Sequence, residues 1–285
     1  MPHYGSESFL LEAVASVVQQ HGSYNELIIS LGSAVSVNTM SKIRELEPKV
    51  IITKPCREGI AQNWNHCIDL ATQEYTILLH SDDRLLLNYL TVMQKLVQKY
   101  SNSDAWFCRV RLINEKGIKT STIADSIKRF IEPSNNEYTI KGDKGLSQLL
   151  KGCFIYCPTM CYRTKVIKKL SFSKEWEMVL DLELYSRLLM AGGEIVGSKE
   201  VGFEYRRHHQ STTAKLTSEL TRFKEEWRLY HLIGLQAKEK MWVGTYRQAK
   251  WKWMLRIHST FCSFKSLLRL RFSDFLRYLK LVFKR

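Results

Sequence analysis

His80-Ser81-Asp82-Asp83 follows directly on the apolar run YTILL, residues 75–79, so two adjacent carboxylates stand at the carboxyl end of what reads as a central strand. Hard divalent cations such as Mg2+ and Mn2+ take oxygen ligands, commonly one or two carboxylates together with the phosphates of a substrate. Ser81, Asp82 or Asp83 could equally cap the helix expected next, and capping is compatible with metal binding. The seven cysteines, Cys56, Cys67, Cys108, Cys153, Cys157, Cys161 and Cys262, are odd in number and contain no Cys-x-x-Cys pair. That argues against a disulfide framework and against a zinc ribbon, and suits a reducing compartment. Cys153, Cys157 and Cys161 recur every fourth residue and could share a face, but thiolate metal sites use tighter pairs, so buried apolar thiols are the simpler reading.

The elements that must carry the acidic motif alternate in type. Phe9, Leu10, Ala13, Val14, Val17 and Val18 repeat as pairs four apart, a helix burying one stripe. A strand at 26–30, a helix at 38–47, a strand at 50–53, a helix at 60–72 and the strand at 75–79 follow. This βαβα order predicts an α/β fold with a mostly parallel sheet flanked by helices, in which ligands bind beyond the carboxyl ends of the strands. A helix over 86–99 and a strand over 105–113 come next. The stretch 119–144 reads as a polar loop, either mobile near a substrate or a surface insertion. Order returns with a helix at 178–191 and a strand at 201–206.

Of 285 residues, 43 are Lys or Arg and 28 are Asp or Glu, a net charge of +15, so a partner carries negative charge. Residues 241–285 hold eleven of these cations and a single acid, Asp274. Within them Phe264, Leu268, Phe272, Phe275, Leu279 and Val282 step by three and four, with Lys265, Arg269, Arg277, Lys280 and Lys284 on other faces. Such a basic amphipathic helix can lie on an anionic bilayer or dock on the rest of the chain through the same stripe. No apolar run approaches the roughly 18 to 20 residues that span a bilayer. The chain is therefore expected in the cytoplasm, peripheral at the inner face of the plasma membrane.

An apolar strand ending in a short acidic motif resembles the metal-binding signature of family 2 glycosyltransferases, which have the GT-A fold. Other pieces fall in that family's order. Pro2-His3-Tyr4 resembles the turn after its first strand, and Gly32-Ser33 the end of its Gly-Ser motif. Gly59, Asn63 and Asn65, in EGIAQNWNHCIDLA, resemble the helix before the metal strand. Pro158-Thr159 with Arg163 resembles the segment entering the acceptor half, and Asp181 with Arg187 the helix carrying the catalytic base. Tyr205-Arg206-Arg207-His208, with Ser211 beyond, is similar to the element that closes the domain. The match covers roughly residues 1–213, leaving 214–285 as a helical, basic extension.

The resemblance implies transfer of a sugar, with inversion, from a nucleotide-diphosphate donor to an acceptor hydroxyl in polysaccharide or glycoconjugate synthesis, the acceptor being a polysaccharide or a lipid-linked glycan. Asp83 with Asp82 would hold Mg2+ or Mn2+ against the diphosphate, and Asp181 would take the proton of the attacking hydroxyl. An exposed helix carboxylate is the plainer account of Asp181. Pro2, Tyr4, Gly59, Asn63, Asp82, Arg206 and His208 would contact the donor, with His208 also able to ligate the metal; a solvated basic turn is the plainer account of Arg206 and His208.

Several positions depart from the family pattern. Ser30 and Leu31 stand where acidic residues usually contact the nucleoside, Gly5 replaces an asparagine, and His80 stands where an acid is frequent. The first strand is expected ahead of Pro2, where only Met1 stands, so Met1 is expected to be internal to a natural product that begins upstream. Two other readings follow: a catalytically weakened relative, and a basic nucleic-acid- or membrane-binding protein using Trp251, Trp253, Phe261 and Phe264. The second leaves the acidic strand-end motif unexplained, so no nucleic-acid partner is expected.

Overall fold

The computed structural model describes residues 1–55, 57–208, 216, 220–268 and 270–283. Cys56, Ser211, Arg269 and Lys284 lie outside them. The first half alternates strands and helices: β1 Pro2–His3, α1 Glu7–Val18, β2 Ile28–Leu31, α2 Val37–Leu46, β3 Ile51–Thr53, α3 Ile60–Leu70, β4 Tyr75–Ile77. There follow β5 Arg84–Leu85, α4 Tyr89–Lys99, β6 Ala105–Asn114, α5 Ile123–Ile131, β7 Glu137–Lys141 and α6 Gly142–Leu150. The second half holds β8 Cys161–Arg163, α7 Thr164–Leu170, α8 Leu180–Met190 and β9 Glu194–Arg207, then the helices α9 Thr221–Glu239, α10 Val243–Trp251, α11 Trp253–Leu268 and α12 Phe272–Phe283.

Strands β1, β2 and β3 form a parallel sheet in that order. Pro2 and His3, expected as a turn, are themselves β1. A parallel ladder can tolerate Pro2 there because the carbonyls on either side do the pairing, Met1 O accepting from Ser30 N and His3 O from Gly32 N. The remaining strands run β4-β8-β6-β9-β5, with β7 also paired to β9. Their spine is the parallel pair β6 and β9, broken by register shifts around Arg109. The expectation of a central acidic strand is corrected: β4 is the end strand of this sheet. Beyond it, His3 on the short β1 reaches across to Ser81.

Alternation along the strands divides the interior into two cores, as a pleated strand covered on both faces requires. On β6, Ala105 and Phe107 face one core with α3, α6, α7 and α8, while Trp106, Cys108 and Val110 face the other with α1 and α4. The same alternation continues past β4, where Leu78 belongs to the first core and Leu79 to the second. This delivers the next residues, His80 to Asp83, to the sheet's carboxyl edge.

Four further sequence expectations are corrected. Residues 119–144 are not a loop: they contain α5 and β7, and Tyr138 and Ile140 of β7 are buried against β9. The final helix is two, α11 and α12. The helix after the acidic motif begins only at Tyr89 with Asn88 at its N-cap, because β5 intervenes, so Ser81, Asp82 and Asp83 do not cap it. Cys153, Cys157 and Cys161 lie on a loop, a 3-10 turn and β8 rather than on one helical face.

Candidate active site

The turn after β4 gathers His80, Asp82 and Asp83 so that one ligand atom of each lies within 4.8 Å of the others. His80 stacks on Trp64 of α3 with ring centroids 4.6 Å apart, and burial pushes its imidazole down to about 4, so it is neutral at pH 7. Its Nε2 is buried without a hydrogen-bond partner. Asp83 is 1% exposed and accepts a 2.7 Å hydrogen bond from the backbone N of Arg206. Burial, and then the Asp82 charge, push its carboxyl well above the usual range. Asp82 is more open and pairs with His208 Nε2 at 3.0 Å. Burial would raise it, but the His208 hydrogen bond and the charges of His80 and His208 hold it below its ordinary value.

A neutral imidazole nitrogen and two carboxylates fit a divalent cation, and the unpartnered Nε2 together with a disfavoured Asp83 charge are what such an ion would relieve. Among the described residues this is the one such group. His80 is a member of the set that sequence reasoning treated only as a departure. Its signal was present: an imidazole two residues before a carboxylate is itself a ligand type.

Beside this turn the carboxyl ends of β1 and β2 meet the start of α3. His3 Nδ1 bonds Ser81 Oγ at 3.0 Å, and burial lowers its imidazole. Asn63 Nδ2 approaches His3 O at 3.4 Å. His3 Nε2, Ser30 Oγ and Asn63 Oδ1 are all buried without partners. Gly32 is required here because a Cβ would stand 2.8 Å from Asn63 Nδ2 and 2.9 Å from His3 O. Gly59, at φ +126°, sets the chain into α3. Tyr4 is 78% exposed at the rim. Pro2 is buried in β1.

Arg206 does not project outward. Its guanidinium donates to Asp82 O at 2.8 Å, to Glu115 O at 3.0 Å and to Glu12 Oε2 at 2.5 Å, and it lies over the Phe9 ring. Replacing Arg206 with Met should lower stability by about 2 to 4 kcal/mol, because Glu12 and two carbonyls lose a donor while the partly open Glu12 regains water. Thermal melting checks this. A weaker donor KM with an unchanged melting point would show that Arg206 instead faces the ligand.

Asp181 is in the first turn of α8, where its Oδ1 accepts from Leu182 N at 2.7 Å. Burial raises its carboxyl, and Lys128 and Arg222 pull it back. Arg187, paired with Asp181 by sequence, instead bonds Glu183 and the carbonyls of Leu170 and Ser171. Arg163 likewise ties Glu74 to Ser101 O. Burial raises the Tyr205 phenol, and the charges of Asp83, Asp82 and Asp181 raise it further while Arg207 opposes them.

Sequence reasoning missed Asp125, which is 2% exposed and accepts from Arg207 at 2.6 Å and from Tyr156 Oη at 2.7 Å. Thr122-x-x-Asp125, with the Thr122 hydroxyl accepting from Asp125 N, is the kind of spacing that starts a helix. That spacing could have revealed α5.

Residues 1–171 match the profile of Glycosyl transferase family 2. No curated protein sequence matches the chain. Among solved structures, TarS 1–349 from S. aureus in complex with UDP-GlcNAc superposes with a TM-score of 0.69 at 15% identity, covering 99% of this chain and 80% of that one. TarS 1–349 in a second crystal structure gives 0.63 at 13%, covering 99% and 79%. The longer TarS structure gives 0.58 at 15%, covering 81% of this chain and 38% of that one. These likenesses establish a GT-A-like fold, and with the acidic turn at the sheet's edge and a profile match over more than half its length, the chain belongs to glycosyl transferase family 2.

Proposed function

We propose that this protein moves a sugar, with inversion, from a nucleoside diphosphate sugar to a hydroxyl of a polysaccharide or lipid-linked glycan at the cytoplasmic face of a membrane. The observation that carries the reading is the turn after β4, where His80, Asp82 and Asp83 each bring one ligand atom within 4.8 Å of the others at the sheet's edge. A family 2 relative need not bind the same donor, but UDP-GlcNAc bound to TarS makes a uridine diphosphate sugar the first to test.

In this scheme Asp181 takes the proton from the acceptor hydroxyl as that oxygen bonds to the anomeric carbon. The bond from that carbon to the diphosphate oxygen breaks on the opposite face, and its electron pair leaves with the nucleoside diphosphate. Burial raises Asp181 toward the working pH, which suits a general base. Asp83, Asp82 and His80 would hold a divalent ion, which when bound offsets charge growing on the diphosphate. An imidazole nitrogen is a better partner for Mn2+ than for Mg2+, so Mn2+ is the preferred ion. The unpartnered His3 Nε2, Ser30 Oγ and Asn63 Oδ1 supply donors and acceptors for the nucleoside, in place of the acidic residues the family pattern leads one to expect. Pro2, Tyr4 and Gly59 frame that side. Arg206 acts by fixing the Asp82–Asp83 turn, and His208 by orienting Asp82.

The test is a screen of nucleotide sugars that reads nucleoside diphosphate release. Release should require Mn2+ or Mg2+, stop with EDTA and return when Mn2+ is restored in excess. Release indifferent to EDTA removes the ion from the reaction. No release from any donor favours a weakened relative, the second reading that the altered nucleoside positions Ser30 and Leu31 support.

A further inference from the structure

We propose that α5 and α11 together form an apolar seat that rests on an anionic bilayer. The proposal deepens the transfer reading above and rests on it only for what the membrane presents to the site.

Both helices are amphipathic in the reverse sense. On α11 the residues turned into the protein include Ser259, Ser263 and Ser266, all under 9% exposed. Those turned outward are Trp253, Ile257, Phe261, Phe264 and Leu268, each more than half exposed. A helix designed only to dock on its own domain buries its aromatic face and leaves serines in water. Its neighbour α12 has no buried residue, and Phe272, Leu276 and Phe283 are exposed.

Helix α5 repeats the pattern. Ile123, Ile127 and Phe130, spaced as one face, are 72%, 36% and 90% exposed. Meanwhile Asp125 points inward onto Arg207 and Tyr156, and the Lys128 ammonium lies 4.0 Å from the centre of the Tyr156 ring. The two helices flank the same glycine: a Cβ on Gly152 would stand 2.9 Å from Ile131 Cδ1 at the end of α5 and 3.4 Å from Met254 Cε at the start of α11. The two outward faces therefore belong to neighbouring elements.

Charge selects the occupant. Residues 241–285 carry eleven Lys or Arg against Asp274 alone, and Lys265, Arg271, Arg277 and Lys280 are exposed. A second copy would bring the same cations to a shared two-fold contact, whereas anionic head groups are attracted to them and acyl chains accept the aromatic and aliphatic side chains. No helix among the described residues is long and apolar enough to cross a membrane, so the contact is a surface one. Because α5 is tied through Asp125 to Arg207, beside His208 on Asp82, the seat adjoins the site, and an acceptor anchored in that bilayer meets Asp181 without leaving it.

The experiment is flotation of the full chain with vesicles of phosphatidylcholine, with and without phosphatidylglycerol. Binding should need phosphatidylglycerol and fall as salt rises. Phe261→Ser with Phe264→Ser, and separately Ile127→Ser with Phe130→Ser, should each weaken partitioning about tenfold or more. Lys265→Glu with Lys280→Glu should weaken it comparably, which guards against a misfolded apolar variant. Donor hydrolysis in solution should stay at the wild-type rate in all three. Absence of binding to phosphatidylglycerol vesicles, or binding indifferent to the Phe261 and Phe264 changes, overturns the seat even where hydrolysis persists. A dimer that those changes dissolve overturns it in favour of a contact between copies. Binding as described in a protein that hydrolyses no donor upholds the seat and removes the transferase reading alone.

Discussion

Asp83→Asn is expected to lower metal-dependent turnover by about a thousandfold or more, roughly 4 kcal/mol of barrier, while the protein stays folded. The asparagine keeps a carbonyl oxygen of the same reach, so the backbone N of Arg206 retains its acceptor and the end of β9 stays in place. What disappears is a negative charge that burial and Asp82 both disfavour in the metal-free protein. The melting temperature without Mn2+ should therefore equal or exceed that of wild type, and the rise in melting temperature that Mn2+ gives the wild type should shrink. Differential scanning calorimetry with and without Mn2+, beside steady-state rates, reads both. Wild-type turnover, or a variant that no longer folds, would remove Asp83 from the role given to it.

Asp181→Asn is expected to reduce sugar transfer by about a hundredfold to ten-thousandfold, with donor affinity unchanged. The amide oxygen of the substituted side chain would still accept from Leu182 N, so the first turn of α8 survives the change. Only the capacity to take a proton is lost. Transfer kinetics together with calorimetric titration of the nucleoside diphosphate distinguish the two effects. Equal losses of affinity and rate would make Asp181 a structural residue of α8. Its neighbours Lys128 and Arg222 sharpen the comparison, since both pull its carboxyl down against burial and lose that partner in the variant.

The first half of the fold was legible because its signals are local and agree with one another. Apolar pairs four apart gave α1, short β-branched runs gave β2 and β3, and a strand ending in carboxylates gave the candidate site. The collinear order of weak motifs said more than any one of them. Helix α5 was hidden for a physical reason: Ile123, Ile127 and Phe130 point outward while Asp125 is buried, and polar residues on either side blur the period. Strand β9 was seen only from residue 201, because Gly197 and the Lys199-Glu200 pair interrupt its alternation, although it runs from Glu194. The direction of Arg206 was not legible either. Nothing in Tyr-Arg-Arg-His states that Glu12, from the first helix, waits beneath it.

One contact changes how the C-terminal helices should be regarded. The Glu225 carboxylate on α9 accepts from the backbone N of Glu177, Met178 and Val179, the residues that lead into α8 and Asp181. Tyr230 Oη, also on α9, reaches Leu150 O. The proton acceptor proposed here is thus clamped from a part of the chain that the family profile does not include. Shortened versions made for crystallisation or assay should retain α9 entire, since a cut at the profile's edge removes Asp181 itself and a cut between α8 and α9 leaves the start of α8 without the Glu225 carboxylate.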